Sequence, residues 1–191
     1  MNDSSYFFTL GWEHIVDINA YDHLLFVMTL CAAFKIKQWR QILIIITAFT
    51  IGHSLTLVLS SLDIVPSNQD LIDKLIPFTI MLTALSNVIN YNKAGNLADI
   101  KVKYGIALLF GLIHGLAFAS NFKFILFEDS IIMPLFLFNI GIEVGQLFIV
   151  LLFMMSLYIY TYLIKAEHSK WNLFISGAGF GIATTLLINA L

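Results

Sequence analysis

Six apolar stretches set the terms for this chain: residues 18–34, 40–61, 71–91, 103–120, 132–163 and 171–190. An α-helix needs about 20 mostly apolar residues to cross a bilayer, and all six reach or approach that length. In hydrocarbon every backbone N–H and C=O must be satisfied within its own segment, so such stretches fold as helices. The expected fold class is therefore all-α, a polytopic membrane bundle of about six transmembrane helices. No linker or low-complexity tract interrupts it, and residues 1–191 are expected to form a single domain. Composition agrees: 59% of residues are hydrophobic and only 12% charged, against about 45–50% and about 25% in soluble domains. The first stretch is short unless "YFFTLGWEHIV" ahead of it adds an interfacial turn. "FKFILFEDSII", residues 122–132, is too short and too charged to span and is expected as a loop or a surface-lying segment.

The basic residues orient the bundle. Eight of the ten Lys and Arg (Lys35, Lys37, Arg40, Lys93, Lys101, Lys103, Lys165 and Lys170) fall in alternate loops, which marks that side as cytoplasmic. Lys74 and Lys123 fall on the other side, among Asp63, Asp70, Asp73, Glu128 and Asp129. Both termini are then expected outside, in a multi-pass protein of the bacterial inner membrane. Asp3, Glu13 and Asp17 stand where a cleavable leader would need a basic and then an apolar run, so the first span is expected to be its own insertion signal. A net charge of −2 gives no footing for nucleic acid, and the lone Cys31 allows no internal disulfide. The expected partners are the lipid bilayer and a metal ion, with a homo-oligomer or a metalloenzyme-maturation partner as further candidates.

With orientation set, a rise of about 1.5 Å per residue turns position into depth. His14 and Asp17 lie near the outer surface, with Asp22 and His23 less than two turns below. His53 in "TAFTIGHSLTL" and His114 in "FGLIHGLAFAS" lie about two turns from the outer ends of their helices. Asn139 in "LFNIGIEVGQLF" enters the fifth span at a similar level, and Glu143 and Gln146 follow deeper on the same face. Singly, each polar group could be an interhelical clamp. Asp22 and His23 could be an ion pair, and Thr47, Thr50 and Ser54 could bond back to their own carbonyls. Shared depth, however, is what ligands of one ion or steps of one path require. Gly52, Gly111, Gly115, Gly141 and Gly145 flank these positions and would let the helices approach closely. The third and sixth spans carry no ionisable group between their flanks and read as scaffold.

Imidazoles with carboxylates suit a divalent transition metal, Ni, Co or Zn, rather than Ca or Mg. The ligand candidates are His23, His53, His114, Asp22, His14 and Asp17; Glu143, Gln146, Asn139 and Ser54 are candidates for an ion path or for supporting roles. The same inventory could instead serve a membrane-embedded metal-dependent hydrolase acting on a lipid or other outer-face substrate. No catalytic residue can be named, since no His-Glu-x-x-His or Gly-x-Ser-x-Gly motif is present.

"GWEHIVDINAYDHLLF", "TAFTIGHSLTL", "GLIHGLAFA" and "FNIGIEVGQ" together resemble the HupE/UreJ family of small membrane proteins, in the family's order and across nearly the whole chain. The resemblance implies a bundle of about six spans and a secondary permease for nickel or cobalt. It also implies metal-associated roles for His14, Asp22, His23, His53, His114, Glu143 and Gln146. Seven residues separate His14 from Asp22, about two more than in the family's metal permeases, and "LIHGLAF" has a single His-Gly where those repeat it. Two added residues turn His14 by about 200° on a continuous helix, so either the helix breaks near Asn19-Ala20 or His14 is not equivalent. The expected function is a nickel- or cobalt-class permease, with the hydrolase and a non-transporting metal-handling accessory protein as rivals.

Overall fold

In the computed structural model, residues 4–18, 21–66, 68–91, 100–125 and 132–191 are described, the side chains of Ser4 and of residues 120–125 excepted. The chain forms α1 (Ser4–Val16), α2 (Tyr21–Ala32), α3 (Trp39–Ser61), α4 (Gln69–Ile89), α5 (Ile100–Ile125), α6 (Ile132–Tyr158) and α7 (His168–Asn189). A short 3-10 turn, Ile36–Gln38, precedes α3, and α6 runs on through a π-helical segment, Ile159–Leu163. Among the described residues five helical segments are long and apolar enough to cross a membrane, and the α1–α2 pair makes a sixth if counted as one broken span. The all-helical membrane bundle expected from the sequence is thus the observed fold.

The first span differs from its expected form. "YFFTLGWEHIV" is the body of a separate 13-residue helix, and α2, inclined to it by 67°, supplies only 12 residues more. The physical reason lies in what α1 packs on: it lies along α6, where Gly11 sits against the Phe138 and Ile142 backbone and Gly141 against that of Phe8 and Trp12. α5 also runs farther than expected, to Ile125, so the interhelical segment placed at 122–132 begins later. Residues 126–131, and the break point proposed at Asn19-Ala20, lie outside the described residues.

The packing directions agree with alternating passes. α3 and α5 run parallel, Gly111 facing Phe49 and Gly115 facing His53. α3 and α6 run antiparallel, Ser54 meeting Asn139 while Thr47 meets Glu143. α4 and α7 are antiparallel too, joined at the inner end by Asn87 with Ser176. The α3–α5 contact is backbone on backbone: a Cβ on Gly52 would run into the Leu108 carbonyl, one on Gly111 into that of Phe49, and one on Gly115 into that of His53. Without a hydrophobic drive between helices in lipid, such contact supplies the attraction through dispersion and close dipoles.

The scaffold role of α4 and α7 takes a specific form. The Asn87 amide donates to the Thr29 carbonyl at 2.7 Å and to Ser176 at 3.2 Å, and Ser176 donates to Asn172 at 3.0 Å, so one buried polar knot ties α2, α4 and α7. His168 is the first residue of α7, and its Nε2 lies 2.9 Å from the Phe34 carbonyl.

Gly111→Leu is expected to lower the thermal midpoint of the detergent-purified protein by several degrees, an overpacking cost of about 1–3 kcal/mol or more. Gly177→Ala, where an added Cβ meets nothing within 4 Å, is expected to leave it unchanged.

Candidate metal centre

The close approach of α3 to α5, and of α1 to α6, brings four imidazoles together. His14 stands in the last turn of α1, His23 in the first turn of α2, His53 on α3 and His114 on α5. Ring centroids are 4.6 Å apart for His14 and His23, 5.8 Å for His14 and His53, 6.2 Å for His23 and His53, and 5.4 Å for His23 and His114. One ligand nitrogen from each of His14, His23 and His53 lies within 4.8 Å of the other two. The break between α1 and α2 is what folds His14 back onto His23, so the longer spacing to Asp22 does not separate them.

Hydrogen bonding shows which ring atoms are engaged. Asp22 Oδ1 lies 3.1 Å from His23 Nδ1 and accepts the His23 backbone N–H at 2.9 Å. A carboxylate only accepts, so Nδ1 carries the hydrogen and Nε2 keeps its lone pair. Asp22 therefore meets the cluster through His23, whose ring it orients. The Thr79 hydroxyl donates to the Ile76 carbonyl at 2.7 Å and so accepts from His114 Nε2 at 3.2 Å, leaving the lone pair on Nδ1. Thr79, in a helix read as scaffold, carries no sequence signal for this role.

Five of the remaining nitrogens have no partner among the described residues. His14 Nε2, His23 Nε2, both ring nitrogens of His53 and His114 Nδ1 are buried and unbonded among the described residues. A buried polar atom left unpaired costs about 1–3 kcal/mol, and the five here amount to one lone pair from each of the four imidazoles plus the N–H of His53. A divalent cation fits these lone pairs, because soft-to-borderline metals take neutral imidazole and leave the carboxylate as a supporting hydrogen-bond partner.

The surroundings differ above and below. Outward lies a cavity of about 530 Å³ lined by Glu13, His14, Asp17, Trp12 and Phe118, and another of about 440 Å³ lined by Tyr21, Asp22 and Asp73. Asp17 is exposed at the first of these and is not one of the three residues whose ligand atoms converge. Inward, each of three histidines has a phenylalanine one turn deeper on its own helix: Phe26, Phe49 and Phe110. These pack with centroids 4.9 Å apart for Phe26 and Phe49 and 6.0 Å for Phe26 and Phe110, and His114 rests on the first two at 5.1 and 5.2 Å. The centre has an aromatic floor.

The other polar residues form a seam beside it. Thr47 donates to Glu143 at 2.7 Å, Thr50 reaches Glu143 at 2.5 Å and Gln146 at 2.7 Å, and Ser54 reaches Asn139 at 2.5 Å. Thr50 and Ser54 also bond back to the Ile46 and Thr50 carbonyls, as the sequence reading of the α3 stripe expected. The seam runs along α3 from the level of His53 toward the inner half of the bundle.

A family model described as HupE / UreJ protein matches residues 1–189, and the chain belongs to that family. No curated protein and no solved structure matches it.

Elemental analysis of purified protein after loading with Ni, Co or Zn is expected to give about one ion per chain, lost in His53→Ala. Asp22→Asn, which removes the negative charge beside His23 Nδ1 but keeps an oxygen that can accept its hydrogen, is expected to weaken retention by about 10–100-fold.

Proposed function

We propose that this member of the HupE/UreJ family is a permease of the bacterial inner membrane for a divalent transition metal of the nickel or cobalt class, the metal being its cargo. The observation that carries this reading is the convergence of His14, His23 and His53, each with a buried and unbonded ring nitrogen, from three helices at one level. A cation would arrive through the outer cavity past Glu13 and Asp17, be held by the three imidazoles with Asp22 fixing His23, and have His114 as a neighbouring donor. Imidazoles on separate helices make a site that can be dismantled by helix movement, and exchange among such weak sites is how a path conducts. The polar seam of Ser54, Asn139, Thr50, Gln146 and Glu143 offers the inward continuation, since the aromatic floor closes the direct line.

A second reading has its own support. Three histidines are the ligand set of catalytic zinc sites, which keep a fourth position open, and the cavity beside His14 also has apolar walls, Leu10 and Phe118. A metal-dependent hydrolase of an outer-face substrate would use that arrangement. The seam leading inward weighs for transport.

Reconstituted in vesicles, the wild type is expected to accumulate Ni or Co in a time-dependent manner, with uptake reduced at least tenfold in His53→Ala and His23→Ala. Tight metal retention with no uptake would favour the hydrolase or a metal-handling accessory role.

A further inference from the structure

At the end of the bundle opposite the histidine centre lies a further cavity, of about 400 Å³, between the 3-10 turn, the π-helical end of α6 and the start of α7. Lys35, Lys37 and His168 form its basic wall, and Ile36, Leu157 and Tyr162 an apolar one. No carboxylate is among the described residues that line it. The acid next in sequence, Glu167, is turned to Lys170 at 3.9 Å and to Ser169 at 3.4 Å. Neither lysine has an ion-pair partner among the described residues. His168 is fixed at the rim: its Nε2 lies 2.9 Å from the Phe34 carbonyl, which can only accept, so that nitrogen carries the hydrogen and the ring is tied to the chain just before Lys35. Two ammonium groups gathered at one cavity without a counter-charge repel each other, and an anion placed between them removes the repulsion.

The level of the cavity indicates which anion. Tyr158 and Tyr162 stack with ring centroids 4.9 Å apart, and Tyr160 lies against Trp171 at 5.1 Å, so aromatic rings gather where α6 ends and α7 begins. Such a belt marks the boundary between hydrocarbon and water, where phospholipid phosphates lie. This is also the side that the basic loops assign to the cytoplasm. Beside the cavity, Leu163 and Ile164 are exposed and continue its apolar wall outward from Tyr162. A soluble anion has no use for that surface, whereas acyl chains do.

We propose that this cavity binds an anionic phospholipid of the inner leaflet, its phosphate held by Lys35 and Lys37 and its chains lying against the π-helical end of α6. Basic pockets between spans on the cytoplasmic side are suited to such headgroups, each nearby lysine adding to the attraction. The bound lipid would join the segment after α2 to the ends of α6 and α7, at the far end of the helix that carries His23. The site stands on the cavity and its charges and does not depend on metal transport.

Native mass spectrometry of the full-length protein in a neutral detergent tests this, with dioleoyl phosphatidylglycerol and dioleoyl phosphatidylcholine, which share their chains, added in equal amounts. The wild type is expected to retain the anionic lipid over the zwitterionic one by about tenfold or more, as two lysine contacts imply. Lys35→Gln with Lys37→Gln is expected to abolish that preference. Ala166→Phe, which fills the cavity from its wall without altering charge, is expected to cut retention of phosphatidylglycerol to a similar extent. Lys101→Gln with Lys165→Gln removes as much charge from the same side but outside the cavity, and is expected to leave the preference intact. Equal retention of both lipids by the wild type would overturn the proposal. So would an equal loss in the two lysine pairs, which would reduce the effect to a generally basic face. Displacement of phosphatidylglycerol by millimolar inorganic phosphate would also overturn it, assigning the cavity to a soluble anion.

Discussion

Backbone-on-backbone contact between helices is the constraint from which the rest of the structure follows. At Gly52, Gly111 and Gly115 between α3 and α5, and at Gly11 and Gly141 between α1 and α6, there is no room for a side chain. Contacts of this kind fix rotation as well as distance, because only the glycine face can approach so far. His53 and His114 each sit beside one of these glycines, so their direction is set by the same fit. α1 is held on α6 in the same way, and that contact carries His14 to the cluster.

The bundle then divides its polar atoms among three places with different degrees of satisfaction. The knot of Asn87, Asn172, Ser176 and the Thr29 carbonyl is bonded within itself and holds α2, α4 and α7, with the Thr29 hydroxyl left without a partner among the described residues. The α3–α6 seam is bonded across its interface, with the Gln146 amide nitrogen left over. The histidine centre has buried nitrogens with nothing to bond. In lipid, where water does not make good the deficit, that order runs from structure to function: a satisfied group holds helices together, and an unsatisfied one waits for something to arrive.

Much of this was legible in the sequence because membrane spans obey one rule of length and one of charge, and because helical rise converts numbering to depth. The shared level of His23, His53 and His114 came from that conversion, as did the common face of Asn139, Glu143 and Gln146. What could not be read was rotation and breakage. The separate helix at Ser4–Val16 depends on its fit to α6, a contact between residues more than a hundred positions apart. For the same reason the place of His14 stayed open between two alternatives. Thr79 as the partner of His114 and the phenylalanine floor were equally hidden, since a threonine and three phenylalanines in apolar runs look like any others. Spacing alone makes Asp22 a ligand candidate; its place beside His23 Nδ1 depends on a side-chain direction that spacing does not specify.

The central claim is that imidazoles from α1, α2 and α3 share one ion. X-ray absorption at the metal edge of the nickel- or zinc-loaded protein tests it most directly, because the multiple scattering of imidazole rings reports their number around the metal. The account predicts a first shell containing about three imidazoles in the wild type, reduced by one in His14→Ala. A shell of oxygen ligands without imidazole, or one unaltered by substitution of His14, His23 or His53, would contradict it.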